Sequence, residues 1–120
     1  MTNETLAGQS ILVVEDEPLI AMDVAQILSA EGATVRIAST LARALALVKQ
    51  GTLSAAILDH ALSDGDSSAL CEELNGKNIP YLIFTGFSDL EGPCSDAPRV
   101  EKPASYEELL AAVTQLLNKA

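Results

Sequence analysis

ILVVEDEP, residues 11–18, sets four aliphatic residues directly against three consecutive acids and a proline. An apolar run of this length without alternation suits a strand buried on both faces, as in a parallel sheet covered by helices. The same stretch opens a helix. Pro18 is tolerated in a first turn, and Ile20, Val24, Ile27 and Leu28 recur on one face before Gly32 stops the pattern. A strand that ends in acids and passes at once into a helix is the unit whose repetition decides the fold.

Working outward, TVRIA (34–38) reads as a second strand, and Thr40 as the cap of a helix carrying Leu41, Ala44, Leu45 and Val48 before Gly51. SAAILD (54–59) is a third strand that ends at Asp59. A polar loop, HALSDGDSS (60–68), follows it, and then a third helix from Ala69 to Leu74, closed near Gly76. YLIF (81–84) is a fourth strand and Arg99 to Glu101 a short fifth. Ser105 and Glu108 form a capping box for a last helix whose buried face is Leu109, Val113, Leu116 and Leu117. Residues 86–98 hold two glycines and two prolines and no helical stripe, so the fourth helix is expected to be short or missing. The polar residues 1–9 read as a flexible tail and residues 10–120 as one domain. The rhythm predicts a doubly wound α/β fold with a parallel sheet.

At 120 residues and 48% hydrophobic content the chain fits one domain with a sizeable core. Its 17 acids against 7 bases give a net charge of −10, which repels nucleic acid and anionic lipid and favours cations or basic protein surfaces. Cys71 and Cys94 read as free thiols in a reducing compartment, because a core of this size needs no staple. No secretory signal or membrane-length apolar run is present, so a cytoplasmic protein is expected.

In doubly wound sheets, ligands bind beyond the carboxyl ends of the strands. Those ends carry Glu15 and Asp16, then Asp59, Thr85 and Lys102. Taken singly, each has an ordinary explanation as a helix-start charge, a turn residue, a loop hydroxyl or a solvated amine. Together they bring acids to one edge. At about 5 Å, two carboxylates repel by roughly 3 kcal/mol at an effective dielectric near 20. A hard divalent cation removes that penalty, and oxygen ligands with open water positions suit Mg²⁺ best. A cation beside a lysine can hold a phosphoryl group, and a carboxylate, here Asp59, can be its nucleophile. Thr85 could then donate a hydrogen bond to one phosphoryl oxygen, and Lys102 could pair with another.

Glu15 and Asp16, Asp59 in AAILDHALSDGDS, Thr85 in IFTGF and Lys102 in VEKP resemble the receiver domain of two-component response regulators, over about Ser10 to Leu117. The resemblance implies a flavodoxin-like, five-stranded parallel sheet of order 2-1-3-4-5. It implies phosphorylation of Asp59 by a sensor histidine kinase or histidine phosphotransfer protein. It also implies Mg²⁺ held by Asp16, Asp59 and the main-chain carbonyl of Ala61, with Glu15 acting through a water. IPYLIFTGF is similar to the fourth strand of a stand-alone alphaproteobacterial subgroup of P-F-x-F-A-T-G-Y type. Where most receivers carry an aromatic, three positions before the lysine, this chain has Arg99, whose guanidinium is costly to bury. Phosphorylation is therefore expected to reorganise residues 86–98.

The expected function is that of a single-domain phosphoacceptor in a two-component phosphorelay, signalling by contact with an unidentified downstream protein. It is not expected to turn over a separate substrate. The alternatives are a phosphorylation-independent binding module, a phosphate sink, or a Mg²⁺-dependent aspartyl-phosphate phosphatase. The last would carry a second aspartate where Ala61 stands. His60 beside Asp59 reads as a packed or surface histidine, Asp64 and Asp66 as turn residues, and Tyr81 and Phe84 as core.

Overall fold

The structure, a computed structural model, describes residues 5–59, 61–62, 65–66, 68–85, 97–101 and 105–119. Its elements in chain order are β1 (Ser10–Val14), α1 (Pro18–Ala30), β2 (Thr34–Ala38), α2 (Leu41–Lys49), β3 (Ala55–Leu58), β4 (Ala61–Leu62), β5 (Gly65–Asp66), α3 (Ser68–Gly76), β6 (Tyr81–Thr85), β7 (Arg99–Glu101) and α4 (Tyr106–Lys119). The main sheet has five strands in the order β2-β1-β3-β6-β7, every neighbouring pair parallel. This is the expected order once β4 and β5 are set aside. Those two form a separate antiparallel hairpin, Ala61 opposite Asp66, where the sequence was read only as a polar loop.

The unbroken apolar run of β1 divides by parity. Ile11 and Val13 join one core cluster with Val24 and Leu28 of α1 and Leu109 and Val113 of α4. Leu12 and Val14 join the other with Ala44 and Val48 of α2 and Leu70 and Leu74 of α3. Both faces of the strand are therefore sealed, which is why it shows no polar alternation. Tyr81 and Phe84 are core residues, as read. Among the described residues no helix is long and apolar enough to cross a membrane.

Helix ends are set by local chemistry. α1 closes with Gly32 at φ +98; its N–H donates to the Ser29 carbonyl and that of Ala33 to the Leu28 carbonyl. This is the glycine-terminated hydrogen-bond pair expected of a left-handed stop. A Cβ on Gly32 would lie 3.2 Å from Ala7 backbone atoms. α3 ends at Gly76, where the sequence places its close, and finishes in the same pattern. Asn78, at φ 57, takes the left-handed position just beyond the helix; its N–H donates to the Asn75 carbonyl and that of Ile79 to the Leu74 carbonyl.

Two expectations are corrected. Residues 5–9 are not a loose tail: Leu6 is 1% exposed within the α1–α4 core, and its N–H donates to the Glu31 carbonyl at 2.8 Å. Cys71 is not a free thiol but is disulfide-bonded, which removes the cysteine argument for a reducing compartment. The sequence holds one other cysteine, Cys94, which lies outside the described residues. The expectation of a short or missing fourth helix falls on residues 86–98, of which 86–96 also lie outside them.

Candidate functional site

The sheet register builds the site. Val14 of β1 pairs with Ala38 of β2 and with Leu58 of β3. One step further, Glu15 N–H donates to the Ala38 carbonyl at 3.0 Å, and Asp59 N–H donates to the Val14 carbonyl at 2.8 Å. The ladders thus continue just far enough to hold both acids side by side at the carboxyl edge. β6 pairs Ile83 with Leu58, so Thr85 ends its strand one step past the level of Asp59. β7 pairs Glu101 with Thr85. Lys102 follows Glu101 directly in sequence and lies outside the described residues, as does His60.

Carboxylate oxygens of Glu15, Asp16 and Asp59 all lie within 4.8 Å of one another. Glu15 and Asp59 are buried, at 3% and 8% exposure, and Asp16 is half-buried. Three charges this close and this poorly hydrated repel strongly unless a cation or donor groups offset them. Part of that offset is visible: Glu17 N–H donates to Glu15 Oε1 at 3.2 Å, at the start of α1. Glu17 itself is exposed and sits at the N-cap of α1 without a side-chain capping bond, an ordinary helix-start charge. An all-oxygen acidic donor set with one half-buried member fits a hard divalent ion open to solvent. Ala61, in β4, places its backbone two residues past Asp59.

A cavity of about 160 Å³ opens beside the acids, lined by Glu15, Asp16, Pro18, Ala21, Met22, Ile37 and Ser39. Sequence reasoning missed this apolar rim. Met22 and Ile37, which line the cavity, are 61% and 43% exposed, and the place of Met22 on α1 shortly after the acid triplet was the signal available. A larger cavity of about 490 Å³ lies between α1 and α4, lined in part by Asp23, Gln26, Phe84 and Tyr106. None of the three clustered acids lines it. At its margin the Tyr106 hydroxyl donates to Glu31 Oε2 at 2.7 Å. That bond to Glu31 is the leading cause that raises the Tyr106 pKa above its ordinary value.

A parallel sheet of this order, with three acids at the carboxyl ends of its first and third strands, defines a flavodoxin-like α/β domain equipped to hold a cation. The chain belongs to the response regulator receiver domain family, whose model matches residues 11–114. It is similar to a CheY-like receiver domain protein from Methanospirillum hungatei, with a TM-score of 0.84 at 27% identity, covering 92% of this chain and 94% of that one. SdrG from Sphingomonas melonis is 36% identical with a TM-score of 0.79, over 91% of this chain and 96% of that one. The transcriptional regulatory protein TcrA of Mycobacterium tuberculosis is 32% identical over 92% of this chain and 47% of its own length. The chain spans about half the length of the curated relatives it matches.

Proposed function

We propose that this domain, residues 10–120, is a phosphoacceptor in which Asp59 takes a phosphoryl group from a histidine kinase or histidine phosphotransfer protein. The observation that carries this reading is the convergence of Glu15, Asp16 and Asp59 within 4.8 Å on one sheet edge of a receiver-family chain. A carboxylate oxygen of Asp59 attacks phosphorus, the phosphorus–nitrogen bond of the donor phosphohistidine breaks, and its electron pair stays on the imidazole. Asp16, Asp59 and the Ala61 carbonyl would hold Mg²⁺, with Glu15 supporting through a water. A bound Mg²⁺ supplies positive charge that offsets the carboxylates and the phosphoryl oxygens. Thr85 and Lys102 are assigned the remaining phosphoryl oxygens.

The exposed Met22 and Ile37, which line the cavity beside the acids, favour a protein phosphodonor, since apolar side chains rimmed by polar groups mark protein contacts. We read the domain as a cytoplasmic regulator of the P-F-x-F-A-T-G-Y subgroup, on the likeness of IPYLIFTGF to that subgroup's fourth strand. Its output is a protein contact rather than nucleic acid binding, in keeping with its charge of −10.

The test is incubation with acetyl phosphate and Mg²⁺, followed by intact mass. An adduct of about 80 Da is expected in the parent and absent from Asp59→Asn or after chelation. An adduct that persists in Asp59→Asn would refute the assignment.

A further inference from the structure

The cavity of about 490 Å³ between α1 and α4 takes no part in the receiver chemistry, since none of the three clustered acids lines it. Its volume falls among those of small-molecule sites, roughly 300–1,000 Å³. Ile20, Val24 and Ile27 recur along one side of α1, and with Phe84 of β6 they give the cavity an apolar wall. Asp23 and Gln26 line it from exposed positions on the same helix, and Tyr106 from the start of α4. We propose that this cavity is a binding site for a small aromatic amine, held as its ammonium cation.

Charge decides the sign of the ligand. Asp23 is the one ionisable residue of α1, and among the described residues that line the cavity none is basic. Tyr106 registers the negative field at the margin. Its hydroxyl donates to Glu31 Oε2 at 2.7 Å, and that bond, then partial burial, then the charges of Glu31 and Glu107 raise its pKa. The same field repels an anion and draws in a cation.

Aromatic content decides the body. The chain has two tyrosines, two phenylalanines and no tryptophan, so Phe84 and Tyr106 bring half of its aromatic residues to this one cavity. Aromatic rings near a carboxylate attract an ammonium group through both quadrupole and charge. They also pair with a ring on the ligand, which a partner protein's lysine side chain lacks. The wall is set in advance: Tyr106 is 40% exposed, yet its hydroxyl is tied to Glu31, which is 2% exposed at the C-cap of α1. A ring held in this way loses little freedom when a ligand arrives.

The test follows backbone amide resonances of the isotope-labelled full chain during titration with 2-phenylethylammonium. Three comparison probes are the neutral 2-phenylethanol, the anionic 3-phenylpropionate and the ringless butylammonium. Saturable shifts centred on Ile20, Val24, Ile27, Phe84 and Tyr106 are expected. The aromatic ammonium should bind about three- to fivefold tighter than the alcohol or butylammonium, and the carboxylate most weakly. Added salt should shrink the preference for charge. Asp23→Asn, at an exposed position, should bring the ammonium and the alcohol to about the same midpoint. Ala30→Trp, which fills the cavity from another exposed position, should abolish the shifts and leave the rest of the spectrum unchanged. Shifts that never saturate, or that centre on Glu15, Asp16 and Asp59, would overturn the site. Equal midpoints for ammonium, alcohol and carboxylate would overturn the cation, and butylammonium binding as tightly as the aromatic probe would overturn the aromatic body. A preference for ammonium that survives Asp23→Asn would overturn the role given to Asp23.

Discussion

Asp16 is the most exposed of the three carboxylates that crowd the sheet edge, and its position sets what its charge costs. Unit charges about 5 Å apart repel by roughly 3 kcal/mol at an effective dielectric of 20, and solvent at a half-buried group lowers that figure further. Asp16→Asn removes one charge while keeping the shape. In divalent-free buffer the variant should therefore be more stable than the parent by about 1 kcal/mol, with Tm raised by about 4 °C. Excess Mg²⁺ should reverse the order. At ten to a hundred times its Kd the ion adds about 1.4–2.7 kcal/mol to the parent, and far less to a variant missing a ligand. Thermal melts with and without Mg²⁺ read both effects. A variant no more stable than the parent in the absence of divalent ion would refute the view that these acids are held together at a cost.

Elements were legible where the deciding information is local. The boundaries of α1 and of β2 follow from apolar periodicity and the punctuating Pro18, Gly32 and Thr40, all within a few residues of the ends they set. The last helix is the clearest case. Ser105 N–H donates to Glu108 Oε1 at 3.2 Å and Glu108 N–H to Ser105 Oγ at 3.1 Å, the reciprocal pair that the S-Y-E-E sequence encodes. Ser105→Ala should cost about 1 kcal/mol in urea unfolding. Glu108→Ala added to it should cost less than it does alone, because the two substitutions remove one shared device. Strict additivity would mean that the box is not cooperative. Less legible were features that depend on geometry beyond the pattern. The β4–β5 hairpin uses strands of two residues each, too short for any period. α3 ends at Gly76 as read, but the left-handed residue beyond it is Asn78, a non-glycine position that composition does not announce.

Across the whole molecule, sequence reading located the acids at one edge because the βα rhythm fixes strand direction, and parallel strands share a carboxyl end. It failed where the chain closes on itself over long distances. Whether Cys71 pairs depends on three-dimensional approach and redox setting, which composition does not carry. Leu6 is a single apolar residue in a polar run, and no local pattern announces a core position. Yet it is 1% exposed and packs with Val24, Leu28, Leu109 and Val113, joining the N-terminal turn to the α1–α4 layer. Its neighbours explain the depth: Leu6 N–H is held by the Glu31 carbonyl, and Ala7 lies against Gly32. Leu6→Ala deletes buried methyl groups from a site fixed on both sides, so collapse around the void is limited. The substitution should cost about 2–4 kcal/mol, read as a lower urea midpoint at unchanged slope. A loose tail would instead give a change within about 0.5 kcal/mol, the range of ordinary surface substitutions. The two outcomes are far enough apart that one denaturation curve decides whether the domain begins at Ser10 or includes the turn before it.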